Sequence, residues 1–209
     1  MISFVFDYVS PYAYLASTQI RALAARHARE VEPVPVLFAG MLASTGARGP
    51  AEIPAKRDYL VHDVTRLARM LGVRVEAPAT HPFNPLAALR ATHACAPERR
   101  WPVVEAMFRA AWVDRRRLDD AAVVRELAAE HGVVIDPGDA AAKDALRAAT
   151  DAAIARGAFG VPTMFVDDQM FWGVDSLPLL ERYLTGERAD LTEIERWRAV
   201  EPSATRRHT

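Results

Sequence analysis

The chain has 209 residues, 51% hydrophobic and 25% charged, enough for one ordinary domain or one domain carrying a large insertion, and wholesale disorder is excluded. Lysine and arginine total 26 against 27 acidic residues, so no overall charge draws the protein to nucleic acid or anionic lipid. A single cysteine, Cys95, excludes an intrachain disulfide and a cysteine-based metal cage.

Residues 2–7, with Ile2, Phe4 and Phe6 alternating with smaller or polar residues, predict a strand. A helix follows from Pro11 to His27, its apolar positions Tyr12, Leu15, Ala16, Ile20, Leu23 and Ala24 falling at helical spacing. Residues 31–38 suit a second strand, at a sheet edge because Pro33 and Pro35 cannot donate to a ladder. Strand, helix and strand in so short a span favour a parallel βαβ unit. Residues 40–54, rich in glycine and proline, read as a loop.

Five helices are predicted next, over 55–71, 85–94, 102–114, 120–131 and 139–156, with no strand pair between them. Two short strands then return, Thr163–Val166 and Met170–Trp172, joined by a hairpin at Asp167-Asp168-Gln169. Helices over 177–184 and 191–200 and a polar, fraying tail over 201–209 complete the chain. The pattern is α/β: β-α-β, a long helical insertion, then β-β-α. That is the thioredoxin plan with a thioredoxin-like domain at 1–54 and 157–209 and an all-helical domain inserted at 55–156. The N-terminus lacks a basic region followed by an apolar run, and no apolar stretch reaches the roughly 18 residues of a membrane span. A cytoplasmic protein is the expectation.

Ser10-Pro11 sits where the first strand meets the first helix. A capping serine followed by proline at the first helical position accounts for the pair structurally. In thioredoxin-like oxidoreductases the same junction carries Cys-x-x-Cys, whereas here it reads Ser10-Pro11-Tyr12-Ala13, which cannot exchange disulfides. What survives is a hydroxyl at a helix start, where free N–H groups and the dipole favour an anion such as a ligand's thiolate. Gly160-Val161-Pro162-Thr163 is either a loop proline opening a strand or the cis-proline corner of the thioredoxin plan, with Val161 offering its backbone to a peptide-like thiol. In Phe171-Trp172-Gly173-Val174-Asp175-Ser176, Asp175 or Ser176 caps the next helix, or Asp175 and nearby N–H groups clamp a γ-glutamyl end.

Lys56, Tyr59, Asp63 and Arg66 form one polar helical stripe, mostly a solvated face, with Lys56 best placed to reach an anion. His81 through Pro85 reads as a turn in which Asn84 caps a helix. The six histidines, at 27, 62, 81, 93, 131 and 208, show no metal-binding spacing, so no metal site is expected. Cys95 at a helix end reads as a small packed residue.

Together, Asp7-x-x-Ser10-Pro11-Tyr12-x-Tyr14-Leu15, Pro54-x-Lys56-x-x-Tyr59-x-x-x-Asp63, Gly160-Val161-Pro162-Thr163 and Phe171-Trp172-Gly173-x-Asp175 resemble 2-hydroxychromene-2-carboxylate isomerases. These are relatives of kappa-class glutathione transferases and, more distantly, of the disulfide oxidoreductase DsbA. The resemblance implies the DsbA/kappa-class architecture, a homodimer, glutathione as cofactor and a small aromatic substrate. It implies that Ser10 holds the glutathione thiolate, Val161 and Pro162 its peptide backbone, and Asp175 its γ-glutamyl end. Lys56, Trp172, Gly173, Val174 and Ser176 complete the cofactor site, and Arg48 and Asn84 contact substrate.

The implied reaction is isomerisation to trans-o-hydroxybenzylidenepyruvate by thiolate addition, bond rotation and elimination. Ala47 stands where the family usually has asparagine, Val174 where it has a polar residue and Ser176 where it has arginine. These departures bear on cofactor affinity and substrate choice, not on fold. A kappa-like transferase or peroxidase, and a redox-inactive thioredoxin-like binding domain, are the alternative readings.

Overall fold

In the computed structural model, which describes residues 1–134, 136, 139–201 and 203, the alternation at the N-terminus produces strand β1 (Ile2–Phe6). Its alternate residues Ile2, Phe4 and Phe6 are fully buried in the larger core, while Val5 points into a second core on the opposite sheet face. Helix α1 (Pro11–Arg26) returns the chain to β2 (Val31–Pro35), which pairs parallel with β1 in the register Ile2 to Val31. In the closing hairpin, β3 (Thr163–Val166) pairs antiparallel with β1 and β4 (Gln169–Trp172) antiparallel with β3, giving the order β2-β1-β3-β4. β2 is an edge strand, as its prolines require. The turn between β3 and β4 is Asp167-Asp168, with Asp167 at φ 52°, and Gln169 already pairs with Val166.

The expected loop over 40–54 is largely helical, and this is a correction. Helix α2 (Phe38–Thr45) ends on Gly46 at φ 66°, and Pro50–Glu52 forms one 3₁₀ turn. The second strand accordingly stops at Pro35 rather than Phe38. Leu37 supplies no side-chain cap to α2; the amides come to rest on distant groups instead. Leu37 N–H donates to Thr150 Oγ1 at 3.0 Å and Phe38 N–H to Asp7 Oδ2 at 2.9 Å. A helix start satisfied from elsewhere in the chain leaves no local signature.

The remaining helices match their predicted places within two residues: α3 (Pro54–Leu71), α4 (Leu86–Ala94), α5 (Arg100–Trp112), α6 (Ala121–Glu130), α7 (Ala140–Ala155), α8 (Leu177–Leu184) and α9 (Leu191–Arg198). The expected break around Gly132–Gly138 falls between α6 and α7, with Ile135, Pro137 and Gly138 outside the described residues, and most of the polar tail lies outside them too. Helices α3 to α6 share one continuous core with α1 and the β1 face, in which Phe108 packs against Phe6, Tyr8 and Tyr14 at ring-centroid distances of 5.4, 4.9 and 6.1 Å. Helix α7, through Ala153, covers the other sheet face with Val5, Val36, Met41 and Phe165. A boundary at residue 157 therefore separates α7 from the sheet it shields.

Aromatic polar tips pin the helices to the sheet. Trp112 Nε1 donates to Tyr8 O at 2.9 Å, and Trp101 Nε1 to Val31 O at 2.8 Å. Thr92 gives its own proton to Ala88 O, so in the 2.7 Å contact with Thr92 the donor is the Tyr8 hydroxyl. Among the described residues no helix is long and apolar enough to cross a membrane.

Candidate active site

The segment Asp7–Ser10 turns the chain from β1 into α1, and Ser10 N–H closes the turn on Asp7 O at 3.1 Å. Ser10 has extended backbone (φ −91°, ψ 115°) and caps α1, its Oγ accepting Ala13 N–H at 3.2 Å, with Pro11 in the first helical position. The accepting side of the hydroxyl is thus engaged, and its proton is left to donate. It points to Val161 O at 3.4 Å, the outer limit of a hydrogen bond, so a stronger acceptor placed alongside would capture it. Val161–Pro162 is a cis peptide, and the Val161 carbonyl lies directly opposite the start of α1. The two segments singled out from sequence therefore meet.

Around them opens a cleft of about 770 Å³, inside the range of roughly 300–1,000 Å³ usual for small-molecule sites. Of the residues predicted to act, Ser10, Arg48, Lys56, Val161, Pro162, Trp172, Gly173, Val174 and Asp175 line it. Two do not. Asn84 is exposed and its Oδ1 accepts Leu86 N–H at 3.1 Å, so it shapes the start of α4 while its neighbours Phe83 and Pro85 face the cleft. Ser176 is buried and its Oγ donates to Gly173 O at 2.8 Å, stiffening the turn that presents Asp175.

Gly173 has φ 90°, and a Cβ there would collide with the Asp175 carboxylate. A Cβ on Gly160 would meet Trp172 Nε1 at 2.7 Å, so this glycine lets the indole lie against the cis-proline loop. Trp172 and Phe159, 52% and 44% exposed, pair at 4.9 Å at the cleft rim. Arg48 lines the cleft with one guanidinium nitrogen donating to Glu52 O at 2.7 Å, and Ala47 beside it is exposed.

Several cleft groups had no role assigned from sequence. Asp7 is 1% exposed; its Oδ1 accepts Val9 N–H at 3.1 Å and its Oδ2 the Phe38 N–H. Burial pushes its carboxyl up to about 7 despite both backbone bonds, so a neutral form exists near neutrality and a second negative charge beside an anion is avoidable. From α1, Tyr12 donates to Asp63 Oδ2 at 2.9 Å, and Tyr59 donates to Asp63 Oδ1 at 3.4 Å. Burial, then the bond to Asp63, raises the Tyr12 phenol and keeps it protonated. The polar stripe on α3 is thus partly turned inward, since Lys56, Tyr59 and Asp63 face the cleft. His81 also lines the cleft, its Nε2 3.0 Å from Val9 O.

Asp7 entered the sequence reading only as the first residue of the Asp7-x-x-Ser10-Pro11 motif, with no role of its own, and His81 only as part of a turn. Cys95 is buried at the end of α4, and burial raises its thiol. Among the described residues no group of histidine, cysteine and carboxylates is placed to hold a metal.

Residues 1–185 match the family of DSBA-like thioredoxin domains. A 2-hydroxychromene-2-carboxylate isomerase of Sphingobium xenophagum is 32% identical over 88% of this chain and 97% of its own. A solved structure of a 2-hydroxychromene-2-carboxylate isomerase superposes over 95% of this chain and 97% of that one, with a TM-score of 0.78 and 26% identity. Glutathione S-transferase kappa 2 of Caenorhabditis elegans is 27% identical over 88% of this chain and 91% of its own. With the thioredoxin plan, a serine at the redox-cysteine position and relatives aligned nearly end to end, the chain belongs to the 2-hydroxychromene-2-carboxylate isomerase family of DsbA-like thioredoxin-fold proteins.

Proposed function

We propose that this protein isomerises a 2-hydroxychromene-2-carboxylate-type aromatic acid with glutathione as cofactor, as a cytoplasmic homodimer. The observation that carries the reading is the Ser10 hydroxyl, engaged as acceptor by Ala13 N–H and left as donor at the mouth of α1, facing the Val161 backbone.

The residues present fit a thiol tripeptide. The helix start and Ser10 offer an anion site, Val161 offers main chain for β-type pairing, and Asp175 offers a carboxylate to an ammonium group. Lys56 and Arg48 add positive charge to the cleft lining. When bound, glutathione supplies a sulfur nucleophile that adds reversibly to a conjugated carbon and so frees rotation about the former double bond. Free thiols ionise around pH 8.5, and a hydroxyl donor plus a helix N-terminus favour the anion by about 1.4 kcal/mol for each tenfold gain. Leu60, Leu67 and Phe83 offer an apolar face suited to an aromatic ring and keep water from it. The near balance of charge supports a small-molecule substrate over a polyanion.

The test is to follow conversion of 2-hydroxychromene-2-carboxylate to trans-o-hydroxybenzylidenepyruvate with and without glutathione, and chlorodinitrobenzene conjugation in parallel. Turnover that requires glutathione, with weak conjugation, is the expected result. Strong conjugation without isomerisation moves the protein to a kappa-like transferase, a reading that the 27% identity to the nematode enzyme supports. Absence of both, with no rise in melting temperature under millimolar glutathione, makes Ser10 a helix cap and nothing more.

A further inference from the structure

Val9, the residue before Ser10, is held from both sides. Its N–H donates to Asp7 Oδ1 at 3.1 Å, and its carbonyl is contacted by His81 Nε2 at 3.0 Å. A carbonyl oxygen only accepts, so Nε2 must carry the proton, and in the neutral ring Nδ1 is then an unprotonated acceptor. Among the described residues Nδ1 has no hydrogen-bonding partner and is not sealed from solvent, and the ring lines the cleft. Trp112 of α5 packs edge-on against the ring at 5.5 Å, limiting its rotation.

The groups bearing on this imidazole come from each neighbouring element: Arg57 from α3, the Val9 carbonyl from the β1–α1 turn, and Asp7 on the far side of the same residue. Burial and the Arg57 charge lower its pKa against the opposing pull of the Val9 bond, so it is neutral near pH 7.

We propose that His81 is the base and acid for ring opening of the substrate, acting through Nδ1. The proposal rests on the functional reading above. A 2-hydroxychromene carbon bearing both a hydroxyl and the ring oxygen must open before its double bond can rotate freely. Nδ1 takes the hydroxyl proton, and the O–H electron pair forms the new C=O. The ring C–O bond breaks with its electrons going to the phenolic oxygen, and that oxygen recovers the proton from Nδ1. No net proton, oxidant or reductant is consumed. The other cleft groups are less suited: both Asp7 oxygens already accept main-chain N–H groups, and Tyr12 is held protonated with its hydrogen on Asp63.

The experiment pairs His81→Gln, whose amide can still donate to Val9 O, with the wild type in the presence of glutathione. The expected result is a fall in kcat of about 100-fold or more, with glutathione affinity by calorimetry and the urea midpoint close to wild type. In parallel, long-range ¹⁵N correlation spectra of the wild type at pH 7.5 should show a neutral His81 with the proton on Nε2. A variant within about twofold of a wild type that does isomerise, or a spectrum with the proton on Nδ1, overturns the assignment and leaves the isomerase reading standing. A wild type that binds glutathione but does not isomerise removes both.

Discussion

On the sheet side of the cleft, the groups at Val9, Ser10, Val161, Pro162 and Gly173 are main chain or a single short hydroxyl, fixed by strand pairing, a helix cap and a cis-proline corner. On the helical side, Tyr59, Leu60, Asp63, Leu67, His81 and Phe83 present side chains from α3 and the turn before α4. A surface of main chain keeps its geometry through most substitutions, which suits it to the anion binding proposed above. A surface of side chains is rewritten one residue at a time, which suits it to choosing the substrate.

Mutations should separate the two walls. The largest effect is expected from Ser10→Ala, which removes the hydroxyl donor at the start of α1. Steady-state turnover should drop about 10²- to 10³-fold, while the loss of the cap lowers the urea-derived stability by about 1 kcal/mol. Unchanged turnover would mean that the helix start alone holds the anion.

Asp7 comes next. Its folded-state pKa of about 7 lies above the ordinary carboxylate range, so the folded protein retains a proton that the unfolded chain gives up. Its contribution to stability is therefore greatest below about pH 4 and is lost as pH rises to about 7, on the order of a few kcal/mol. Asp7→Asn should flatten that fall, seen as a smaller difference between urea midpoints at pH 4.5 and 7.5. An identical difference in both proteins would show that the carboxyl titrates normally.

The smallest effect is expected where the walls touch. Tyr12→Phe deletes the 2.9 Å bond from α1 to Asp63 but leaves the Tyr59 contact. The substrate KM should rise by a factor corresponding to about 1 kcal/mol, with calorimetric glutathione affinity unchanged. A fall in glutathione affinity instead would place Asp63 on the cofactor.

What the sequence made legible follows the same division. Strand alternation, the Ser-Pro helix start, the Val-Pro corner and the Gly-x-Asp turn are local patterns, and the last three border the cleft. α2 was read as a loop because the caps of its first amides, Asp7 and Thr150, lie far away in sequence. Asn84 and Ser176 carried local capping chemistry and are spent on it, holding Leu86 N–H and Gly173 O instead of facing the cleft. His81 and Asp7 gain their character from burial and from the opposite ends of one residue, Val9, and neither property is written in neighbouring letters.

The contact between Ser10 and Val161 joins residues 151 positions apart. A ribosome delivers the hydroxyl early and its facing carbonyl only after three-quarters of the chain has emerged, so the nascent protein carries half a binding site through most of its synthesis. Any product truncated before the cis-proline corner has the first helix and its cap but no cleft, and completion of the chain and the onset of ligand binding become one event.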